Sequence, residues 1–89
     1  MQFIVSDYKI YAKDAQGHVI AEVTFPEVRK GTVTINHTYV DPSLRGQGVA
    51  GQLMIKAYEH IKEMGKKAEA SCPYAVDWFA KHEECRDIL

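Results

Sequence analysis

The spacing of apolar residues changes period once along this chain, and a glycine-rich turn marks the change. Before the turn, Val19, Ala21, Val23 and Phe25 are interleaved with His18, Glu22 and Thr24. A period of two is that of a half-buried strand. Val33, Ile35, His37 and Tyr39 form a second series against Thr32, Thr34, Asn36 and Thr38, and Phe3 to Tyr11 supplies a third. Asp14–Gly17 and Arg29–Gly31 have turn chemistry, so an antiparallel meander is expected. After the glycine turn, Ala50, Leu53, Met54, Ala57, Ile61 and Met64 follow helical spacing, with Gln52, Lys56, Glu59, Glu63 and Lys66 opposite. Gly65 ends that helix in a left-handed cap. Lys67–Ser71 reads as a short strand. Pro73 opens a second helix that should turn Val76, Phe79 and Ala80 inward and Asp77, Lys81 and Glu84 outward. The order is β-β-β-α-β-α, an α+β fold with a mostly antiparallel sheet. A helical crossover lets the last strand lie parallel to the third.

The 89 residues suit one domain over 1–89, with 46% hydrophobic and 26% charged residues. Formal net charge is -1, so no strong field draws nucleic acid or an anionic membrane, and neither is expected as a partner. No apolar run approaches the roughly 20 residues that span a bilayer. The N-terminal residues lack the basic start and apolar stretch of a secretion signal. A cytoplasmic protein is expected, with Cys72 and Cys85 as free thiols. Histidines and cysteines lack metal-site spacing, so no metal is expected. The expected state is a monomer or weak homodimer.

The turn reads Arg45-Gly46-Gln47-Gly48-Val49-Ala50-Gly51. Small residues at a helix start allow close approach to backbone N–H groups that have no internal partner. With the helix dipole, these form an anion site suited to a pyrophosphate, and Arg45 adds a charge. A tight turn with no ligand also fits the pattern, but two glycines and an alanine in the first helical turn cost stability that a bare turn does not require. Gly46 to Gly51 matches the dinucleotide fingerprint G-x-G-x-x-G literally. That motif, however, belongs early in a doubly wound parallel sheet, whereas antiparallel strands precede it here. A P-loop is excluded, because no Gly-Lys-Ser/Thr follows.

Arg45-x-x-Gly48-x-Ala50 resembles the R/Q-x-x-G-x-G/A signature of the GCN5-related N-acetyltransferases. Together with His37-Thr38-x-Val40, Asp41-Pro42-x-Leu44-Arg45-Gly46-Gln47-Gly48, Cys72-Pro73 and Phe79-x-x-His82-x-x-x-x-Asp87-Ile88-Leu89, it is similar to the small members of that superfamily of about 90 residues. One departure is visible: where such proteins often read His-Pro-Glu-Tyr, this chain reads His82-Glu83-Glu84-Cys85. The resemblance implies a minimal version of their fold and acetyl-coenzyme A as the acetyl donor. It also implies that strands ending near Val40 and Ser71 splay apart. The pantetheine arm would lie in that gap against Tyr39 and Val40, with the pyrophosphate on Gly46, Gln47, Gly48, Val49, Ala50 and Gly51.

Acetyl transfer to an amine requires deprotonation of the amine, polarisation of the thioester and departure of a thiolate. Cys72 precedes Pro73 at a helix start, where a thiolate is stabilised. It could attack the thioester or form a mixed disulfide with the coenzyme, and it could equally be a small buried hydrophobe. His37 suits a base or proton relay, although its alternation with Val33 and Ile35 fits a hydrogen-bonded core histidine unless a bulge reverses it. His82, Tyr39 and Tyr74 are further proton carriers, and Glu22, Glu27 and Glu69 are possible bases. The functional expectation is N-acetyl transfer to an amine, either a small molecule or a protein lysine. The alternatives are a non-catalytic coenzyme A-binding or thiol-sensing module using Cys72, and a plain interaction domain.

Overall fold

The computed structural model describes residues 1–89. Seven strands and two helices run in the order β1 (Ile4–Val5), β2 (Lys9–Lys13), β3 (Val19–Thr24), β4 (Glu27–Arg29), β5 (Thr32–Ile35), β6 (His37–Val40), α1 (Val49–Glu63), β7 (Lys67–Ala70) and α2 (Pro73–Lys81). Short 3-10 turns occupy Pro42–Leu44 and Glu83–Ile88. The strands form two sheets, β1-β2-β3-β6 and β4-β5-β7. Pairing is antiparallel except between β5 and β7, which run parallel with Thr32 opposite Lys67 and Ile35 opposite Ala70. The fold is thus α+β, with the parallel pair produced by the α1 crossover.

The meander is more broken than the periodicity predicts. Phe3 to Tyr11 is not one strand, because Ser6–Tyr8 separates β1 from β2. Pro26 lies between β3 and β4, and the Arg29–Gly31 turn joins β4 to β5. The predicted strand from Val33 to Tyr39 is two strands in two different sheets. The chain changes sheets at Asn36, whose N–H donates to the Thr24 carbonyl at 3.2 Å. The Thr24 hydroxyl donates to Asn36 Oδ1 at 2.6 Å.

All 18 buried residues are hydrophobic and form one cluster. Ile10, Ala12, Ala21 and Val23 point from the first sheet toward Leu53, Met54, Ala57 and Ile61 of α1. Removing each larger side chain from water contributes about 2 kcal/mol. The helix stops at Gly65 (φ 71°). There the N–H groups of Gly65 and Lys66 donate to the carbonyls of Lys62 and Ile61 at 3.0 and 3.2 Å, a Schellman cap. Helix α2 corrects the expected inward face. Ala75, Trp78 and Phe79 are buried, whereas Val76 is 52% exposed and Ala80 is also outside. Glu84 belongs to the 3-10 turn that follows α2, not to the helix. The apolar stripe is rotated because Trp78, the bulkiest side chain available, takes the core position.

Candidate functional site

The site grows from the change of sheet at Asn36. Strand β6 pairs only with β3, and β7 pairs only with β5. Beyond Ile35, whose carbonyl accepts from the N–H groups of both Ser71 and Cys72 at 3.1 Å, the two chain paths diverge. A gap bordered by Val40 and Tyr74 separates the end of β6 from the start of α2.

The chain leaves β6 through Asp41, which caps the Pro42–Leu44 turn. Its Oδ1 accepts from the Ser43 N–H at 2.9 Å and the Ser43 hydroxyl at 2.7 Å. These bonds, with the Ser43 hydroxyl contributing most, hold the Asp41 carboxyl below its ordinary pKa. Gly46 and Gly48 then take left-handed conformations with φ of 79° and 71°, a backbone that favours glycine strongly. Gly48 is the N-cap of α1 and offers no side-chain cap.

The N–H groups of Gly46, Gly48, Val49, Ala50 and Gly51 find no acceptor within the chain. Alternating left- and right-handed residues at a helix start aim such donors at one point, which makes an anion cradle. Arg45 stands beside it and enters no ion pair or hydrogen bond through its side chain. A cleft of about 230 Å³ joins this cradle to the gap. Its walls are Val40, Leu44, Arg45, Gly46, Gly48, Val49, Ala50, Gly51 and Tyr74. Seven of the nine residues singled out in the sequence for coenzyme contact line this cleft. Gln47 belongs to the turn without lining the cleft, and Tyr39 faces the exposed side of β6. Leu44 and Tyr74 complete the walls. Only the break in β6 pairing could have shown that Tyr74 would face the turn.

Cys72 lies at the inner end of the gap as the N-cap of α2. Its thiol is half-buried and donates to Thr38 Oγ1 at 3.7 Å. Burial pushes the thiol pKa up. The N–H of Ala75, the Thr38 hydroxyl and the N–H groups of Tyr74 and Thr38 outweigh it, leaving the pKa below that of an ordinary thiol. His37 corrects the core alternative. The extra residue at Asn36 reverses the alternation, so His37 and Tyr39 point outward while Thr38 and Val40 turn inward. The His37 side chain is 53% exposed, with Nε2 3.5 Å from Glu22 Oε1. Cys72 touches Thr38 and His37 leaves β6 on the opposite face, so the structure does not bring the two candidates together.

The remaining candidates are engaged elsewhere. Glu27 pairs with Lys66 at 2.9 Å and Glu69 with Arg29. His82 stacks on Trp78 with ring centroids 4.0 Å apart, and its Nδ1 lies 2.7 Å from the Trp78 carbonyl. Cys85 is buried, and that burial raises its thiol pKa. No group of three or more His, Cys, Asp or Glu residues could hold a metal ion. No helix is long and apolar enough to cross a membrane.

A helix-start anion cradle beside two splayed strands, in an α+β fold, has the geometry and charge that suit a phosphate group at that junction. The sequence model for the GCN5-related N-acetyl-transferase matches residues 7–88, and the chain belongs to that family. A solution structure of a GCN5-like protein from Staphylococcus aureus shares 31% identity at a TM-score of 0.81, covering 98% of this chain and 85% of that one. The acetyltransferase YhbS from Escherichia coli, solved in complex with CoA, shares 29% identity at a TM-score of 0.60 over 70% of this chain and 38% of its own. An IAA acetyltransferase from Bacillus cereus shares 28% identity at a TM-score of 0.62, covering 86% of this chain and 52% of that one. The chain therefore spans about half or less of these two larger proteins. No curated protein is similar to it in sequence.

Proposed function

We propose that the protein binds acetyl-coenzyme A at the Arg45–Gly51 turn and transfers the acetyl group to an amine, a small molecule or a protein lysine. The observation that carries this reading is the set of N–H groups from Gly46 to Gly51 without acceptors, open to the β6–α2 gap. A pyrophosphate fits that cradle by charge and by donor count, and the gap at Val40 suits an extended pantetheine arm. When bound, the coenzyme supplies an activated acyl thioester.

The chain's own residues bind and orient. The turn and Arg45 hold the phosphates, the backbone of β6 at Tyr39 and Val40 receives the arm, and Tyr74 closes the outer wall. Cys72 and His37 are the proton-moving groups of this proposal. Cys72 works from inside the gap through its contact with Thr38. His37 works from the open sheet face, where Glu22 balances an imidazolium.

A second reading is favoured by the lowered Cys72 thiol: a coenzyme-binding thiol module. Its Cys72 thiolate would attack the disulfide of oxidised coenzyme A, forming a protein–coenzyme disulfide and releasing one coenzyme thiol. Steady-state release of free coenzyme thiol from acetyl-coenzyme A across an amine panel separates the two readings. Amine-dependent turnover, slowed by His37→Ala by at least about a hundredfold, is expected from the first. No turnover of acetyl-coenzyme A on any amine, with a stoichiometric disulfide adduct formed when the protein is given oxidised coenzyme A instead, sinks the first in favour of the second.

A further inference from the structure

Strand β7 is the outer strand of its sheet and pairs with β5 alone. The N–H groups of Lys67 and Ser71 donate toward β5, to the carbonyls of Gly31 at 2.8 Å and Ile35 at 3.1 Å. By the alternation of a parallel ladder, Ala68 and Ala70 direct their backbone groups to the other edge, where no strand lies. Ala70 also forms one wall of a cleft of about 420 Å³, larger than the cleft at the glycine turn. Its other walls are Val76, Phe79 and Ala80 of α2, with Leu89 and Arg86.

Arg86 is the only residue in that lining with a charged side chain. Its Nε donates to the Phe79 carbonyl at 2.9 Å and its Nη2 to the Ala80 carbonyl at 2.8 Å. These bonds fix the guanidinium and leave Nη1 without an acceptor. Lys67, close by in the fold, donates to the Asp87 carbonyl at 2.8 Å. Neither cation is paired with a carboxylate.

We propose that the β7 edge and this cleft dock an extended peptide segment that carries a free carboxylate. The peptide adds to β7 as a strand, inserts one apolar side chain into the cleft and sets its carboxylate on Arg86. Main-chain bonds at the edge, a pocket for alternate side chains and a fixed guanidinium are the elements of that recognition mode. Two unpaired cations select an anionic partner. They also disfavour a second copy of the chain, since pairing two β7 edges would bring Lys67 and Arg86 of both copies together. An amphiphile such as a fatty acid would use the cleft and Arg86 but leave the backbone groups of Ala68 and Ala70 unused. The cleft is separate from the glycine turn, whose α2 wall is Tyr74, so binding requires no coenzyme.

The test is a titration of the full ¹⁵N-labelled chain, without coenzyme, followed by amide chemical shifts. The probes are the N-acetylated peptide Thr-Val-Thr-Val-Leu with a free C-terminal carboxylate, its C-terminal amide, and decanoate. The carboxylate peptide is expected to shift the Ala68 and Ala70 amides and the Arg86 side-chain N–H. The amide should bind about tenfold more weakly. Ala70→Pro removes the outward N–H without touching the ladder to β5 and should weaken the peptide by a similar factor. If that variant loses its folded spectrum, Val76→Glu, which obstructs the rim from an exposed position and repels the carboxylate, should show the same loss. Equal binding of acid and amide, binding of decanoate alone, or no shift at Ala68 and Ala70 would overturn the proposal. So would self-association that produces the same shifts with no peptide present.

Discussion

Cys72 and Cys85 are the same side chain in opposite surroundings. Cys72 faces the N–H groups at the start of α2 and the Thr38 hydroxyl, and its pKa falls. Cys85 is buried near Glu84 and Asp87, and its pKa rises. At pH 7, iodoacetamide should therefore modify Cys72 at least about tenfold faster than Cys85, as read by mass spectrometry of the digested protein. Thr38→Val removes one donor to the thiolate and should move the Cys72 alkylation profile to higher pH. Equal rates for the two cysteines would contradict the assigned environments. The position of Cys72 was legible in the sequence, because Pro73 marks a helix start. The direction of His37 was not. Alternation places it with Val33 and Ile35, and only the hydrogen bonds of Asn36 to Thr24, two strands away, insert the residue that reverses it.

The glycine turn and α1 form the element on which the functional proposal rests. Gly46 and Gly48 need their left-handed backbone. Gly51 has no such need, and a Cβ added there would meet no atom within 4 Å. Nothing in the fold accounts for glycine at this helical position, whereas close approach of a ligand does. Gly51→Ala should raise stability by about 0.5–1 kcal/mol in a denaturant titration, while weakening acetyl-coenzyme A. A stabilised protein with unchanged coenzyme affinity would show that Gly51 serves no ligand. The turn and the helix after it were readable because glycine spacing and 3.6-residue periodicity are local. The outer walls of the cleft were not, since Leu44 and Tyr74 meet only when β6 and β7 part.

At the scale of the molecule, Glu27 ties three parts together. Its carboxylate accepts from Lys66 beyond α1 at 2.9 Å, from the Gly31 N–H in the β4–β5 turn at 2.9 Å, and from the Tyr8 hydroxyl before β2 at 3.1 Å. Lys66 contributes most to lowering its pKa from 4.5 to about 2. A carboxyl whose pKa is depressed on folding stabilises the fold above its unfolded pKa, and that contribution is lost as pH falls through the folded value. The window here runs from 4.5 down to about 2. Glu27→Gln should therefore be less stable than the parent at pH 7. The difference should shrink through that window, as measured by urea midpoints at several pH values. A difference that does not change with pH would mean that the charge of Glu27 is not what ties these segments. The α+β order and the parallel β5–β7 pair were both readable, because a helical crossover leaves few other ways to pair the last strand. The division into two sheets was not, since it depends on Pro26 and Asn36 breaking what reads as continuous alternation.

Calorimetric titration of the reduced protein with acetyl-coenzyme A, beside Gly48→Glu, tests the central claim most directly. The substituted residue would sit at the N-cap with φ near 71° and carry a negative charge into the anion cradle. Binding in the micromolar range, about 8 kcal/mol, is expected for the parent and none for the variant. No binding to either, or equal binding to both, would contradict a coenzyme site at the Arg45–Gly51 turn.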